Sequence, residues 1–371
     1  MSATGRKIRV LVVDDSVVMR RILTEVISAD RELEVAGYAA NGQIAMSLLA
    51  QVAPDILTLD VEMPVMDGLA TLKALRAAGY KLPVIMFSTL TERGAEATID
   101  ALALGASDYV AKPSGGGDYN SARERIREAV VPKIKALCRR STAAAPVTGA
   151  PAARPSNAPK RSIANPVKVL AIGCSTGGPN ALAEILPNLF EDFPAPILIV
   201  QHMPPTFTRF LAQRLTSLCR MPVEEAVDGT VLHPGRMWVA PGGYHMLVEG
   251  DPGAAKIRIS QTPPENSCRP SVDVLFRSVA DVFGGSTLAV VLTGMGQDGL
   301  RGCEQLSSGG AEILVQDEAT SVVWGMPGFV ARGGFADAVL PLSAIGPTIV
   351  KRVNERRFFA KYLPGVAAVA R

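Results

Sequence analysis

The chain has 371 residues, 48% hydrophobic and 20% charged, which suits two or three soluble domains with sizeable cores. A net charge of +3 makes no global case for nucleic-acid binding, and five scattered cysteines, Cys138, Cys174, Cys219, Cys268 and Cys303, never spaced C-x-x-C, argue against a disulfide framework or a zinc site. Arg6 and Lys7 lead straight into a short apolar run closed by two aspartates, which is no signal peptide, and no run approaches membrane-spanning length, so a cytoplasmic protein in a reducing compartment is expected.

Residues 8 to 113 alternate short apolar runs with helical patterns. Strands are expected at Ile8–Val13, weakly at Val35–Tyr38, and at Asp55–Leu59, Pro83–Phe87 and Asp108–Val110. Helices are expected at Val17–Ser28, Gly42–Ala50, Leu69–Ala78 and Ala95–Leu104, with a closing helix over Ser121–Cys138. Successive βα units of this kind imply a doubly wound parallel sheet. Polar residues gather at one end of it: Asp14 and Asp15 after the first strand, Asp60 after the third, Ser88 and Thr89 after the fourth, Lys112 after the fifth. The carboxyl ends of strands form the ligand crevice of such sheets. Three carboxylates gathered there repel one another unless a cation joins them, and hard oxygen donors suit Mg²⁺. A lysine and a hydroxyl opposite could hold a phosphoryl group. The plainer alternative is that each aspartate caps the helix after it, which explains one of them better than all.

On LVVDDS (11–16), LTLDVEMPVMDG (57–68), MFST (86–89) and YVAKP (109–113), residues 8 to 128 resemble a response-regulator receiver domain, a flavodoxin-like fold. The resemblance implies Asp60 as phosphoryl acceptor, Asp14, Asp15 and Asp60 as Mg²⁺ ligands with the Glu62 backbone carbonyl, Ser88 and Lys112 as phosphoryl sensors, and Tyr109 as the aromatic switch.

Residues 141–165 are rich in Ala, Pro, Ser and Thr and lack periodicity, as a linker would be. Between Tyr119 and Arg161 ten Lys/Arg stand against two Asp/Glu, but no aromatic residues interleave to stack on bases, so a solvated helix face is expected rather than a nucleic-acid contact. Three parts follow: a domain over 1–140, the linker over 141–165 and a second domain over 166–371.

The second domain shows strand runs at Val167–Ile172, Ile197–Gln201, Met237–Ala240, Ile257–Ser260, Leu288–Leu292, Ile313–Gln316 and Ala338–Leu340, a hairpin-like excursion around Gly242–Gly250, and a last basic helix over Ile345–Phe358. A mainly parallel, Rossmann-like sheet is expected. Ser175, in Gly173-Cys174-Ser175-Thr176-Gly177-Gly178, His202 and Asp298 each stand just past the end of a strand run. If those strands are neighbours, nucleophile, base and orienting acid share one crevice, with backbone N–H groups near Ser175 or in the Gly294–Gly299 loop for the oxyanion. Each has a bland alternative: Ser175 as an N-cap, His202 as a satisfied core histidine, Asp298 as the cap of the helix after Gly299. His245 could line the same crevice. A rival chemistry also exists. Gly294-x-Gly296-x-x-Gly299 after a strand, with Asp317 ending the next, has dinucleotide-binding spacing, although Asp298 inside that loop would crowd a pyrophosphate.

IGCSTGGP (172–179), IVQHMP (199–204), VAPGG (239–243), CRPSVDVLF (268–276), VLTGMGQDG (291–299) and WGMPG (324–328) resemble the catalytic domain of the chemotaxis protein-glutamate methylesterases, the CheB family, whose order of receiver, linker and esterase is also matched. That resemblance implies Ser175 as nucleophile, His202 as base, Asp298 as orienter and the Met295 backbone N–H as an oxyanion donor, with no esterase cofactor. It also implies methyl-accepting chemotaxis receptors as substrate, a chemotaxis histidine kinase as phosphodonor, glutamine deamidation as a second activity, and a receiver that blocks the Ser175 crevice until Asp60 is phosphorylated. A non-catalytic adaptor docking to receptors or kinase is the alternative, disfavoured because docking has no need of all three residues.

Overall fold

The computed structural model describes residues 6–113, 118–142 and 165–362, and the linker expected over 141–165 falls almost wholly outside them. The chain divides into two units, Met1–Val147 and Thr148–Arg371.

In the first unit five strands, β1 (Ile8–Val13), β2 (Leu33–Ala39), β3 (Ile56–Asp60), β4 (Val84–Ser88) and β5 (Asp108–Ala111), form a parallel sheet of order β2-β1-β3-β4-β5. β1, β3 and β4 read as near-continuous apolar runs because parallel strands are covered on both faces. The helices are α1 (Val17–Ser28), α2 (Gly42–Val52), α3 (Gly68–Ala77), α4 (Glu92–Ala103) and α5 (Tyr119–Thr142). α1 packs on α5, while α2, α3 and α4 pack in succession, so the sheet is wound on both sides. Each of α1 to α4 starts on a polar side chain that accepts from its first turn: Ser16 from Met19 N–H, Asn41 from Ile44, Asp67 from Ala70 and Thr91 from Gly94. The order reverses between β1 and β3, and Asp14, Asp15 and Asp60 stand at that switch point.

In the second unit β6 (Val169–Cys174), β7 (Ile197–Gln201), β8 (Val223–Glu225), β9 (Met237–Val239), β12 (Thr287–Val291), β13 (Glu312–Gln316) and β14 (Ala338–Leu340) form a seven-stranded sheet, all pairs parallel, of order β14-β13-β12-β6-β7-β9-β8. β10 (His245–Glu249) and β11 (Lys256–Ser260) pair antiparallel as a separate ribbon. The run Ile257–Ser260 therefore belongs to the excursion and not to the main sheet. The edge strand β8 has only three residues, Val223-Glu224-Glu225, and no periodicity that short registers in sequence. Helix α8 (Val272–Phe283) covers the sheet, and Val272, Leu275, Phe276 and Val279 pack into a core with Trp238, Leu198, Ala289 and Ile313. The remaining helices are α6 (Gly178–Ile185), α7 (Phe207–Leu218), α9 (Leu300–Ser308), α10 (Met326–Arg332) and α11 (Leu342–Tyr362). α6 and α9 start on left-handed glycines, Gly177 (φ 79°) and Gly299 (φ 91°), without side-chain caps. The switch point of this sheet lies between β6 and β12, the strands that deliver Ser175 and Asp298.

Candidate functional site

In the first unit, oxygens of Asp14, Asp15 and Asp60 lie within 4.8 Å of one another. Asp14 and Asp60 are buried at the strand ends, and Asp15 is exposed. Lys112 Nζ stands 2.6 Å from Asp60 Oδ2 and 3.0 Å from Asp14 Oδ2. Asp14 Oδ2 is buried and meets no polar partner besides that ammonium among the described residues. Burial raises the Asp60 carboxyl to about 6, the Lys112 ammonium works against that rise, and the neighbouring Asp14 adds to it. Burial likewise raises Asp14 against the pull of Lys112. Two buried acids for one lysine leave negative charge uncompensated, which is the electrostatic condition for holding a cation. The capping alternative holds in part for Asp14, whose Oδ1 accepts from Ser16 N–H at 2.9 Å.

Ser88 Oγ donates to Gly94 O at 2.8 Å, and the Lys112 N–H bonds Ser88 O at 2.7 Å, so the two stand side by side across β4 and β5. Glu62 N–H reaches Asp60 Oδ1 at 3.4 Å. Tyr109 is buried, with Lys133 Nζ 5.5 Å from its ring centre, and burial pushes its hydroxyl well above the usual range.

In the second unit the register carries the argument. β6 pairs β7 with Cys174 opposite Gln201, and His202 N–H bonds Cys174 O at 3.1 Å, so the next residues on the two strands, Ser175 and His202, emerge together. On the other side Ser175 N–H bonds Thr293 O at 3.0 Å. Gly294 lies so close that a Cβ there would stand 2.9 Å from Ser175 Cβ. Gln201 is buried and its amide donates to both Ser175 O (3.0 Å) and His202 O (3.1 Å), pinning the two turns to one another. Ser175 is not a helix cap, since Gly177 takes that place in α6. No hydrogen bond joins Ser175 Oγ to His202 among the described residues.

His202 Nε2 lies 2.7 Å from Asp298 Oδ2. Asp298 is buried and surrounded by donors: Val272 N–H (2.6 Å) on Oδ2, and Ser271 Oγ (2.8 Å), Asp273 N–H, Gly299 N–H and Asn266 Nδ2 (3.0 Å each) on Oδ1. Ser271 is the N-cap of α8 yet bonds none of its turn, and Asp298 supplies that anion from another loop. A carboxylate on a helix N-terminus stays ionised. Burial works to raise the Asp298 carboxyl, but His202 and these backbone donors win and hold it well below the usual range. Burial disfavours the imidazolium of His202, but the bond to Asp298 and the contact with Cys268 together outweigh it and raise the imidazole well above its ordinary value. With Nε2–H given to Asp298, Nδ1 is the basic nitrogen. It faces away from Asp298, 3.5 Å from Cys268 Sγ.

The Met295 N–H, one residue past the Gly294 that packs on Ser175, has no intramolecular acceptor among the described residues. His245 does not line the crevice. It is fully buried, accepts from Ser271 N–H at Nδ1 (3.2 Å) and bonds Pro263 O through Nε2 (3.1 Å). Cys174 is buried against Gln201 Oε1 and its thiol is pushed far up by burial, so it is no nucleophile. The dinucleotide rival finds its loop already occupied: Asp298 takes the Gly299 N–H, and Asp317 caps a turn through Thr320 N–H at 2.9 Å. Asn266, Cys268 and Ser271 were not foreseen. The last two lie in CRPSVDVLF, but nothing in one sequence folds that segment onto Asp298.

The fold and these two clusters define a class: a receiver-like α/β unit with an acidic cluster at its switch point, followed in the same chain by an α/β unit with a serine, a histidine and an aspartate at its own. The response regulator receiver domain family matches residues 10–122, and the CheB methylesterase family matches residues 170–349. The chain belongs to the protein-glutamate methylesterase/protein-glutamine glutaminase family. It is 49% identical to the protein of that name from Trichodesmium erythraeum over 94% of this chain and 99% of the relative, and 50% identical to that of Nocardioides sp. over 94% and 96%. It is also similar to the crystal structure of the Thermotoga maritima CheB methylesterase catalytic domain, at 41% identity over 50% of this chain and 97% of that one, with a TM-score of 0.49. No helix among the described residues is long and apolar enough to cross a membrane.

Proposed function

We propose that this chain hydrolyses glutamate methyl esters on methyl-accepting chemotaxis receptors, releasing methanol, and deamidates receptor glutamines by the same chemistry, under control of phosphorylation at Asp60. The observation that carries the reading is the 2.7 Å bond between His202 Nε2 and Asp298 Oδ2, with Ser175 emerging beside His202 by strand register.

Ser175 Oγ attacks the side-chain carbonyl carbon while His202 Nδ1 takes its proton. Asp298 keeps the second ring proton on Nε2 and stabilises the imidazolium that forms. The oxyanion receives the free Met295 N–H. His202 then gives its proton to the departing methoxide, or to the amine of an amide substrate. Water attacks the acyl-enzyme with His202 again as base, which frees Ser175 and leaves a glutamate side chain on the receptor. The absence of a Ser175–His202 bond is compatible with this, since such bonds commonly tighten only around substrate.

In the receiver, Asp14, Asp15 and Asp60, with the Glu62 carbonyl, would hold Mg²⁺, and the donor set fits it: hard oxygens, excess negative charge and a buried Asp14 oxygen whose one polar partner, Lys112, is shared with Asp60. When bound, Mg²⁺ neutralises charge on the phosphoryl group and on these carboxylates. Asp60 Oδ accepts the phosphoryl group from a histidine kinase, Lys112 pairs with it, and Ser88 gives up its bond to Gly94 O to reach it, with Tyr109 following. That is a population shift in a two-state element. The boundaries 1–140, 141–165 and 166–371 remain our division of the chain for these roles, in the cytoplasm where the kinase acts.

The test is methanol release from methylated receptor membranes by wild type and Ser175→Ala, with and without a small-molecule phosphodonor. Release that needs Ser175 and rises with the phosphodonor is the expected result. No release under any condition would overturn the esterase reading in favour of a docking adaptor.

A further inference from the structure

Beside His202 opens a cavity of about 380 Å³, lined by His202, Pro204, Pro205, Pro264, Cys268 and Arg269 among others. Its walls are proline-rich, with one formal cation, Arg269. The guanidinium spends Nη1 on two loop carbonyls, Gln261 O at 3.1 Å and Thr262 O at 3.2 Å. Among the described residues Nη2 has no acceptor, and Nε is buried with none. No carboxylate pairs with Arg269 among the described residues, whereas its neighbour Arg277 is paired with Glu265 at 2.6 Å. The backbone is held in place, since Arg269 O accepts from Gly243 N–H at 3.1 Å.

A buried guanidinium Nε–H without an acceptor is costly to keep, and the open Nη2 beside it can help a partner complete the group. Its planar fork suits a carboxylate above other anions of the same size. Placed on the wall next to the catalytic base, it would meet whatever flanks the scissile group. The reaction itself makes carboxylates: every ester or amide turned over leaves a glutamate on the same polypeptide.

We infer that Arg269 is a specificity-determining residue that binds a side-chain carboxylate of the receptor segment adjacent to the glutamyl ester, so that the cavity beside His202 is a subsite for an acidic peptide. The inference rests on the esterase reading above and extends it to which esters are chosen. It implies that neighbouring glutamates already freed of methyl groups promote hydrolysis of the next ester.

The test uses the full-length protein with phosphodonor and two synthetic peptides, each with one γ-glutamyl methyl ester, flanked by glutamate in one and alanine in the other. Alanine is chosen because a glutamine flank would itself be deamidated. Methanol release should show kcat/KM about tenfold higher for the glutamate peptide, carried by KM, and the preference should shrink as ionic strength rises. Arg269→Gln should reduce the ratio to near one, while Arg269→Lys, keeping the charge but not the fork, should retain part of it. The ratio is read within each variant, so partial loss of folded protein does not change it. Equal turnover of both peptides by wild type would overturn the subsite while leaving the esterase intact. A preference that survives Arg269→Gln would also overturn it. Failure to cleave either peptide, with methylated receptor membranes also uncleaved, would overturn the esterase reading on which the subsite rests.

Discussion

Asp298→Asn is the sharpest probe of the second site, because six donors converge on the carboxylate. Oδ1 accepts from Ser271 Oγ, Asp273 N–H, Gly299 N–H and Asn266 Nδ2, and Oδ2 from His202 Nε2 and Val272 N–H. An amide can answer only one side. The four donors on the Oδ1 side claim its oxygen, which turns the amide NH₂ toward Val272 N–H and His202. His202 must then accept at Nε2 and carry its proton on Nδ1, the nitrogen that has to take the proton of Ser175. The wrong tautomer in a serine protease triad costs about 10⁴ in kcat, which is about 5.5 kcal/mol at about 1.4 kcal/mol per tenfold. The expected loss here is about 10³ to 10⁴ in kcat, with KM little changed. The pH profile moves as well. Asp298 raises the His202 imidazole above its ordinary value, so wild-type kcat/KM should rise with pH through an apparent pKa above that value as His202 becomes neutral. Without the negative charge that limb should move to lower pH. Methanol release followed across neutral and alkaline pH checks both. A variant within tenfold of wild type, or an unmoved limb, would refute the assignment of Asp298.

Other outcomes follow from single contacts. Ser271→Ala removes one donor from an ionised acid and should lower kcat about tenfold at unchanged KM, by the same assay. Mg²⁺ should raise the melting temperature of the wild-type receiver unit's transition, and Asp14→Asn should abolish that rise, as calorimetry would show. Asp60→Ala should leave methanol release unresponsive to a phosphodonor; a wild-type response would discard the gate. Asp60 is raised in the fold from 3.8 to about 6, so its contribution to stability is most favourable at low pH and is lost as pH rises through that window. Asp60→Asn should therefore stabilise the unit at neutral pH without divalent cation by about 1–3 kcal/mol, a gain that vanishes below about pH 4 in denaturant melts.

Much of this was legible in the residues. β1, α1, β7 and β14 fall on the expected residues, because their apolar runs are bounded by charged, small or turn-forming residues that end a strand or start a helix. Ser175, His202 and Asp298 were legible as a set because each follows an apolar run, and parallel strands deliver such residues to one edge. What was not legible depends on pairings distant in sequence. β11 reads as any apolar strand, and only its register with β10 takes it out of the main sheet. Asp298 looked like a cap for α9, the helix that follows it. It caps α8 instead, which begins at Val272, well before it in sequence. His245 reads as a crevice residue after Pro-Gly-Gly, yet its ring is spent bracing the loop that carries Asn266 and Ser271.

The two sites share a placement and differ in how charge is managed, and that difference fits their tasks. Both stand at the switch point of a parallel sheet, where strand ends present side chains to one crevice. In the receiver, two buried aspartates share one lysine and a third stands beside them, so the cluster is under-compensated. A site that must accept a cation and then a phosphoryl group has use for that deficit. In the second unit Asp298 is compensated by a helix N-terminus, two side-chain donors and a histidine, and the buried Asp273 beside it has donors of its own in Gly302 N–H and Asn266 Nδ2. The donors instead fix one carboxylate so firmly that it can do one thing, which is to decide which nitrogen of His202 is basic. A receiver has to change state on binding, and an esterase triad has to keep its geometry through two acyl transfers. The same fold edge serves both because the loops beyond the strands, and not the strands, set the balance of charge.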